Sequence, residues 1–215
     1  MNILIFLFLG IFTALLLPPF FLTPFGFIIF TYLCYFIDNN FEKFTKINLF
    51  LNGFTFGIGF FGVFLSWMIN PFLVFEETNN LLFLLIIFII FLSSIFGIIF
   101  YLVIFYLRFY SIVLTLPFVF ILSEYLISNI FSGFPWVTFS LTISSLDFLM
   151  FLPKNFGTLV TSYLVIIVFC LPYLFFFKKI KYNFTLTFLL VTPLLISILI
   201  NNYQNVKIKE DNFSV

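Results

Sequence analysis

The sequence predicts an all-α polytopic membrane protein, a bundle of about seven transmembrane helices with a cytoplasmic amino terminus. Three observations carry that expectation. Of the 215 residues, 64% are hydrophobic and 8% charged, with a mean hydropathy of +1.28. A soluble domain is about 45–50% apolar and about 25% charged, so this chain has too few polar residues to cover a globule. Charged and proline-rich breaks then cut the chain into apolar stretches near the length of a bilayer span, about 20 residues. Finally, Lys and Arg fall on alternate breaks, the pattern that orients membrane proteins. The same composition narrows function. With no histidine the chain lacks the usual metal ligand and near-neutral proton shuttle, so no metal site and no cofactor are expected. A net charge of +1 offers no basic face to nucleic acid. Cys34 and Cys170 lie far apart in apolar runs, which suits neither a disulfide framework nor a metal motif.

The expected first span, residues 3–17, is short. It has no basic residue at its start and no small-x-small site after it, so it reads as an anchor rather than a cleaved signal. Pro18-Pro19 closes it and can open the second, 21–37. The two are expected to span, with a re-entrant hairpin as the other arrangement their length permits. After a solvated break holding Glu42, Lys43 and Lys46, the third span covers 47–69. Its Gly53 and Gly57 have small-xxx-small spacing, extended by Gly59 and Gly62, which predicts close helix packing. Trp67 ends this span, followed by Asn70-Pro71 and Glu76-Glu77. The fourth span, 81–107, leads through Arg108 to the fifth, 111–127, which carries Glu124 near its end. A connection of roughly 30 residues follows, long enough to suggest function. It holds Ser132-Gly133-Phe134-Pro135-Trp136, Asp147 and Lys154. The sixth and seventh spans are 157–177 and 184–200, and the 201–215 tail turns polar.

With the amino terminus inside, the inner breaks hold Lys43, Lys46, Arg108, Lys178, Lys179 and Lys181, against Lys154 alone in the outer ones. The tail is then outside. The unusual residues sort to the outer face: the prolines of the first turn, Trp67, Glu124, and the Gly133–Trp136 string. Trp67 and Trp136, each taken alone, read first as members of an interfacial aromatic belt. Glu124 reads either as a solvated helix end or as a polar group facing a cavity in the bundle. Both cysteines read as small apolar packing residues.

Pro117, Glu124 and Gly133-Phe134-Pro135-Trp136 together resemble the membrane domain of bacterial apolipoprotein N-acyltransferases. The glycine-rich third span ending in Trp67, the Pro18-Pro19 turn and Gly157 are similar to the same family. The family often has an arginine shortly after the glutamate, where Ile127 and Ser128 stand here. Its Gly-Tyr-Ser-Gln-like stretch beyond the tryptophan reads as Ser140-Leu141-Thr142-Ile143. Family members carry an outer-face nitrilase-like domain with a Glu-Lys-Cys triad after the seventh span. Asn212-Phe213-Ser214-Val215 reads like the opening of its first strand, which makes this sequence an expected fragment.

The resemblance implies transfer of an acyl chain from a phospholipid donor to the α-amino group of a lipoprotein's diacylglyceryl-cysteine, in the bacterial inner membrane with a periplasmic tail. The route is covalent, through a thioester on the triad cysteine. No catalytic residue can be placed on this chain, whose part would be lipid and substrate access. On that reading Gly133, Phe134, Pro135 and Trp136 form a stiff rim loop, Glu124 a polar group on the wall of the access cavity, and Trp67 a further lipid-access candidate. A non-catalytic membrane scaffold and a small-molecule transporter are the alternatives.

Overall fold

The computed structural model describes residues 3–74, 76–130, 137–146 and 149–177. All regular structure among them is helical. The elements are α1 (Ile3–Ala14), α2 (Phe25–Asn40), α3 (Lys46–Phe64), the short α4 (Ile69–Leu73) and α5 (Glu76–Asn79), α6 (Leu82–Tyr106), α7 (Ile112–Ile130) and α8 (Phe151–Phe177). Among the described residues, four helical runs are long and apolar enough to cross a membrane: Lys46–Phe64, Glu77–Tyr106, Ile112–Ile130 and Phe151–Phe177. Helix α1, with 12 residues, rises only about 18 Å at 1.5 Å per residue. The expected seventh span, 184–200, lies outside the described residues.

Helix ends differ from the sequence expectation for local reasons. Helix α1 stops at Ala14 because the chain turns through Leu16, Leu17 and the cis Pro18-Pro19 bond. Helix α2 starts only after Pro24, whose ring fixes φ near the helical value, and runs on through the polar Asp38-Asn39-Asn40. Helix α7 continues past Ile127 to Ile130, so Glu124 lies a turn and a half inside it. Helix α8 begins with a short stretch before Gly157, whose φ of 78° and ψ of 167° break the helix into two segments. A backbone of that shape is essentially confined to glycine.

Helix α3 is clasped between α1 and α6. A methyl group on Gly59 would come 2.2 Å from the Leu7 carbonyl oxygen, and one on Gly10 would come 2.1 Å from that of Phe56. On the other side of α3, Gly53 meets Phe100 and Gly57 meets Ser93 at 2.5 and 2.8 Å from the same added carbon. The expected close packing is therefore real at Gly53, Gly57 and Gly59. It fails at Gly62, which has nothing within 4 Å. Bare backbones let the helices approach where lipid gives little hydrophobic drive between them.

Phenylalanine fills the space between helices. Phe56 stacks on Phe96 with centroids 5.1 Å apart, and Phe30 contacts Phe120 at 5.2 Å and Phe169 at 5.7 Å. The outer surfaces of α6 and α8 remain apolar, with Ile86, Ile87, Phe175 and Phe176 exposed, as a lipid-facing surface requires. Cys34 and Cys170, distant in sequence, lie beside each other across α2 and α8. Both are free and fully buried. One turn further along the same pair of helices the Tyr173 hydroxyl donates to Asp38.

Candidate functional site

One end of the bundle gathers the Pro18-Pro19 turn, the carboxyl end of α3, the end of α7 and the stretch that leads into α8. The organising feature there is the segment after Trp136, which folds down into the bundle rather than across its surface. Val137, Thr138, Phe139, Ser140, Thr142 and Ile143 are all buried. Phe139 acts as the plug: its ring packs against Phe120 of α7 at 4.9 Å, Phe60 of α3 at 5.8 Å and Phe30 of α2 at 6.1 Å. A 3-10 turn over Phe139–Ile143 follows directly.

A non-helical backbone at this depth needs donors and acceptors from elsewhere, and polar side chains supply them. Glu124 is 6% exposed. The Thr138 hydroxyl donates to its Oε1 at 2.5 Å, and the Phe139 backbone N–H donates to its Oε2 at 3.3 Å. Ser162 of α8 closes the other side, its Oγ accepting from the Ser140 N–H at 2.9 Å and lying 3.3 Å from the Thr138 hydroxyl. Thr138 also meets the Ser140 hydroxyl at 3.1 Å. From the first turn, Thr23 donates its hydroxyl to the Thr142 carbonyl at 2.9 Å. Three separate parts of the chain thus grip one short segment.

Glu124 is buried, which sets aside the solvated helix end, but it does not face a cavity as the other reading expected. The space it borders is a void of about 10 Å³ shared with Ser123, Phe120 and Val137. That is about the room one water needs, so Glu124 faces a bound segment rather than a chamber of substrate size. Sequence reasoning missed its partner Thr138, and Ser162, which holds Thr138 and Ser140 from α8. The available signal was the hydroxyl residues Thr161-Ser162 inside an otherwise apolar span.

Trp67 lies in the 3-10 turn Ser66–Met68 and is 46% exposed. With Pro18, Pro19, Phe20, Phe64 and Asn70 it borders a groove of about 250 Å³ between the first turn and the end of α3. This brings Trp67 to the same end of the bundle as the Glu124 cluster. Gly133, Phe134, Pro135 and Trp136 lie outside the described residues. Their flanks are fixed: α7 ends at Ile130 on one side, and the buried Val137 and Thr138 begin the anchored segment on the other. Asp147 is also outside the described residues, while Lys154 is exposed on the first stretch of α8.

No curated protein matches the chain. The model of the apolipoprotein N-acyltransferase N-terminal domain matches residues 9–171, a stretch that takes in α2 to α7, most of α8 and the whole Glu124 cluster. The chain therefore belongs to the apolipoprotein N-acyltransferase family, as its amino-terminal membrane domain.

Proposed function

We propose that this chain is the substrate-access half of an apolipoprotein N-acyltransferase. It would admit a phospholipid acyl donor and a diacylglyceryl-cysteine lipoprotein from the bilayer and present both to a nitrilase-like catalytic domain. The acyl chain would pass from the phospholipid to a thioester on that domain's cysteine, and then to the lipoprotein's free α-amino group. This chain contributes no catalytic residue. Cys34 and Cys170 are unsuited to the nucleophile's role, being buried against each other between α2 and α8.

The observation that carries this reading is the grip on the segment after Trp136. A loop that touches two-tailed substrates needs fixed ends if it is to hold their headgroups in register. Glu124, Thr138 and Ser162 provide such a fixed end immediately beyond Gly133-Phe134-Pro135-Trp136. In this reading Glu124 is a positioning residue, with Trp136 at the rim and Trp67 beside the neighbouring groove. The access end faces the periplasm and the amino terminus the cytoplasm, in the inner membrane, as the Lys and Arg distribution supports.

A chimera tests the proposal. Residues 1–200 of this chain would replace the membrane domain of an active family member, and transfer from phospholipid to a diacylated lipopeptide would be assayed. The expected result is transfer that disappears when the triad cysteine is changed to alanine. Trp136→Ala and Glu124→Gln should each lower it at least tenfold. Full activity in both variants would refute the assignment of the rim and its anchor.

A further inference from the structure

The geometry points to a second lipid site: a binding groove for an anionic phospholipid headgroup at the end of the bundle opposite the Glu124 cluster. Three cations lie at that end, two from the break between α2 and α3 and one from the turn after α6. Lys43 lies in the turn after α2, Lys46 opens α3, and Arg108 follows the end of α6. The glycine contacts that press α3 onto α6 bring them together, since Gly53 and Gly97 lock the two helices about two turns away. As a result the Lys46 ammonium sits 5.1 Å from the centre of the Phe105 ring, and the Arg108 guanidinium 4.8 Å from that of Phe109.

Between them lies a groove of about 540 Å³ bordered by Phe41, Phe44, Phe105, Phe109, Glu42 and Arg108. Its size falls within the range of about 300–1,000 Å³ typical of ligand sites. Its walls are aromatic, Arg108 lines it and Lys46 sits over its Phe105 wall, against the one negative charge of Glu42. Phe109 is 84% exposed, a cost in water but not at the boundary between acyl chains and headgroups. A phosphodiester would lie between Arg108 and Lys46, where a planar guanidinium can take two of its oxygens. The glycerol and upper acyl carbons would run along Phe105 and Phe109. Basic pockets between helices on the cytoplasmic side are suited to anionic lipid headgroups, and this groove combines that charge with an apolar floor that a free anion would not use. The site is separate from acyl transfer, so its fate does not depend on the function proposed above.

The test is lipid retention by the full chain, purified in detergent with equal amounts of phosphatidylglycerol and phosphatidylcholine and read by native mass spectrometry. Phosphatidylglycerol should be retained in preference. Arg108→Gln and Lys46→Gln should each reduce that preference about fivefold, the effect expected of one surface cation near an anionic headgroup. Arg108→Lys should keep most of it, and Lys154→Gln, at the other end, should change nothing. Both cations are exposed, and unchanged thermal unfolding would show that their loss leaves the fold intact. Equal retention of the two lipids would overturn the site. So would a preference that survives Arg108→Gln, one lost equally in Lys154→Gln, or one displaced by inorganic phosphate.

Discussion

Glu124 illustrates how one residue can be flagged by sequence and yet explained only by structure. An acidic side chain in an apolar span is expensive unless it meets donors, so its presence alone marked it. Which donors it meets was not legible, because Thr138 and Phe139 lie beyond a loop, and Ser162, which holds Thr138, is on another helix. The network makes unequal demands on its members. Thr138→Val removes the hydroxyl nearest the carboxylate and should destabilise by about 2–3 kcal/mol, since a buried acceptor loses its donor. Ser140→Ala loses one contact to Thr138 and should cost about 1 kcal/mol or less. Thermal unfolding in detergent would compare them, and equal effects would argue against Glu124 as the centre of the cluster. Asn52 is the converse case: it is buried in α3, and its Oδ1 has no partner among the described residues. Asn52→Leu should therefore raise the melting temperature, by an amount equivalent to about 1 kcal/mol.

At the scale of elements, the glycines of α3 were legible as a packing face because a four-residue spacing repeats on one side of a helix. The two-sided clasp was not. Gly59 and Gly10 turn toward each other's helices, while Gly53 and Gly57 serve α6, and spacing alone does not assign partners. Gly59→Ala should destabilise by about 1–3 kcal/mol, because the added carbon meets backbone that cannot rotate away. Gly62→Ala should be neutral or slightly stabilising, as expected where alanine replaces glycine in an open stretch of helix. Gly157 separates conformation from space. Nothing lies within 4 Å of an added methyl group, yet its φ of 78° is unsuited to any other residue. Gly157→Ala should therefore cost about 1–3 kcal/mol through the backbone alone. A melting temperature unchanged by that substitution would mean that the break in α8 can be relieved cheaply.

For the molecule as a whole, the class of fold was legible from composition, and the order of apolar segments from the charged and proline-rich breaks. The descent of the segment after Trp136 was not, because a stretch such as Val137-Thr138-Phe139-Ser140 has no helical period and reads as surface loop. Tertiary contacts from α2, α3, α7 and α8 bury it. The same contacts place the cationic end and the Glu124 end on opposite sides of the bundle. This makes orientation a sharp prediction. Cysteine introduced at Glu77 should react with an impermeant maleimide in intact cells, and cysteine at Glu42 only after permeabilisation. The native cysteines, fully buried, should give little background. The reverse pattern would invert the topology and put the proposed access end in the cytoplasm.

The central claim, that this domain receives lipidated substrate at its Glu124 end, is tested most directly by binding. A fluorescent diacylglyceryl-cysteine peptide would be titrated onto the chain in nanodiscs, with empty nanodiscs as the reference for partition into lipid. The account predicts saturable binding above that reference, weakened at least tenfold by Trp136→Ala and by Thr138→Val, and absent for the same peptide without its acyl chains. Binding no greater than partition, or saturable binding that both substitutions leave unchanged, would contradict it.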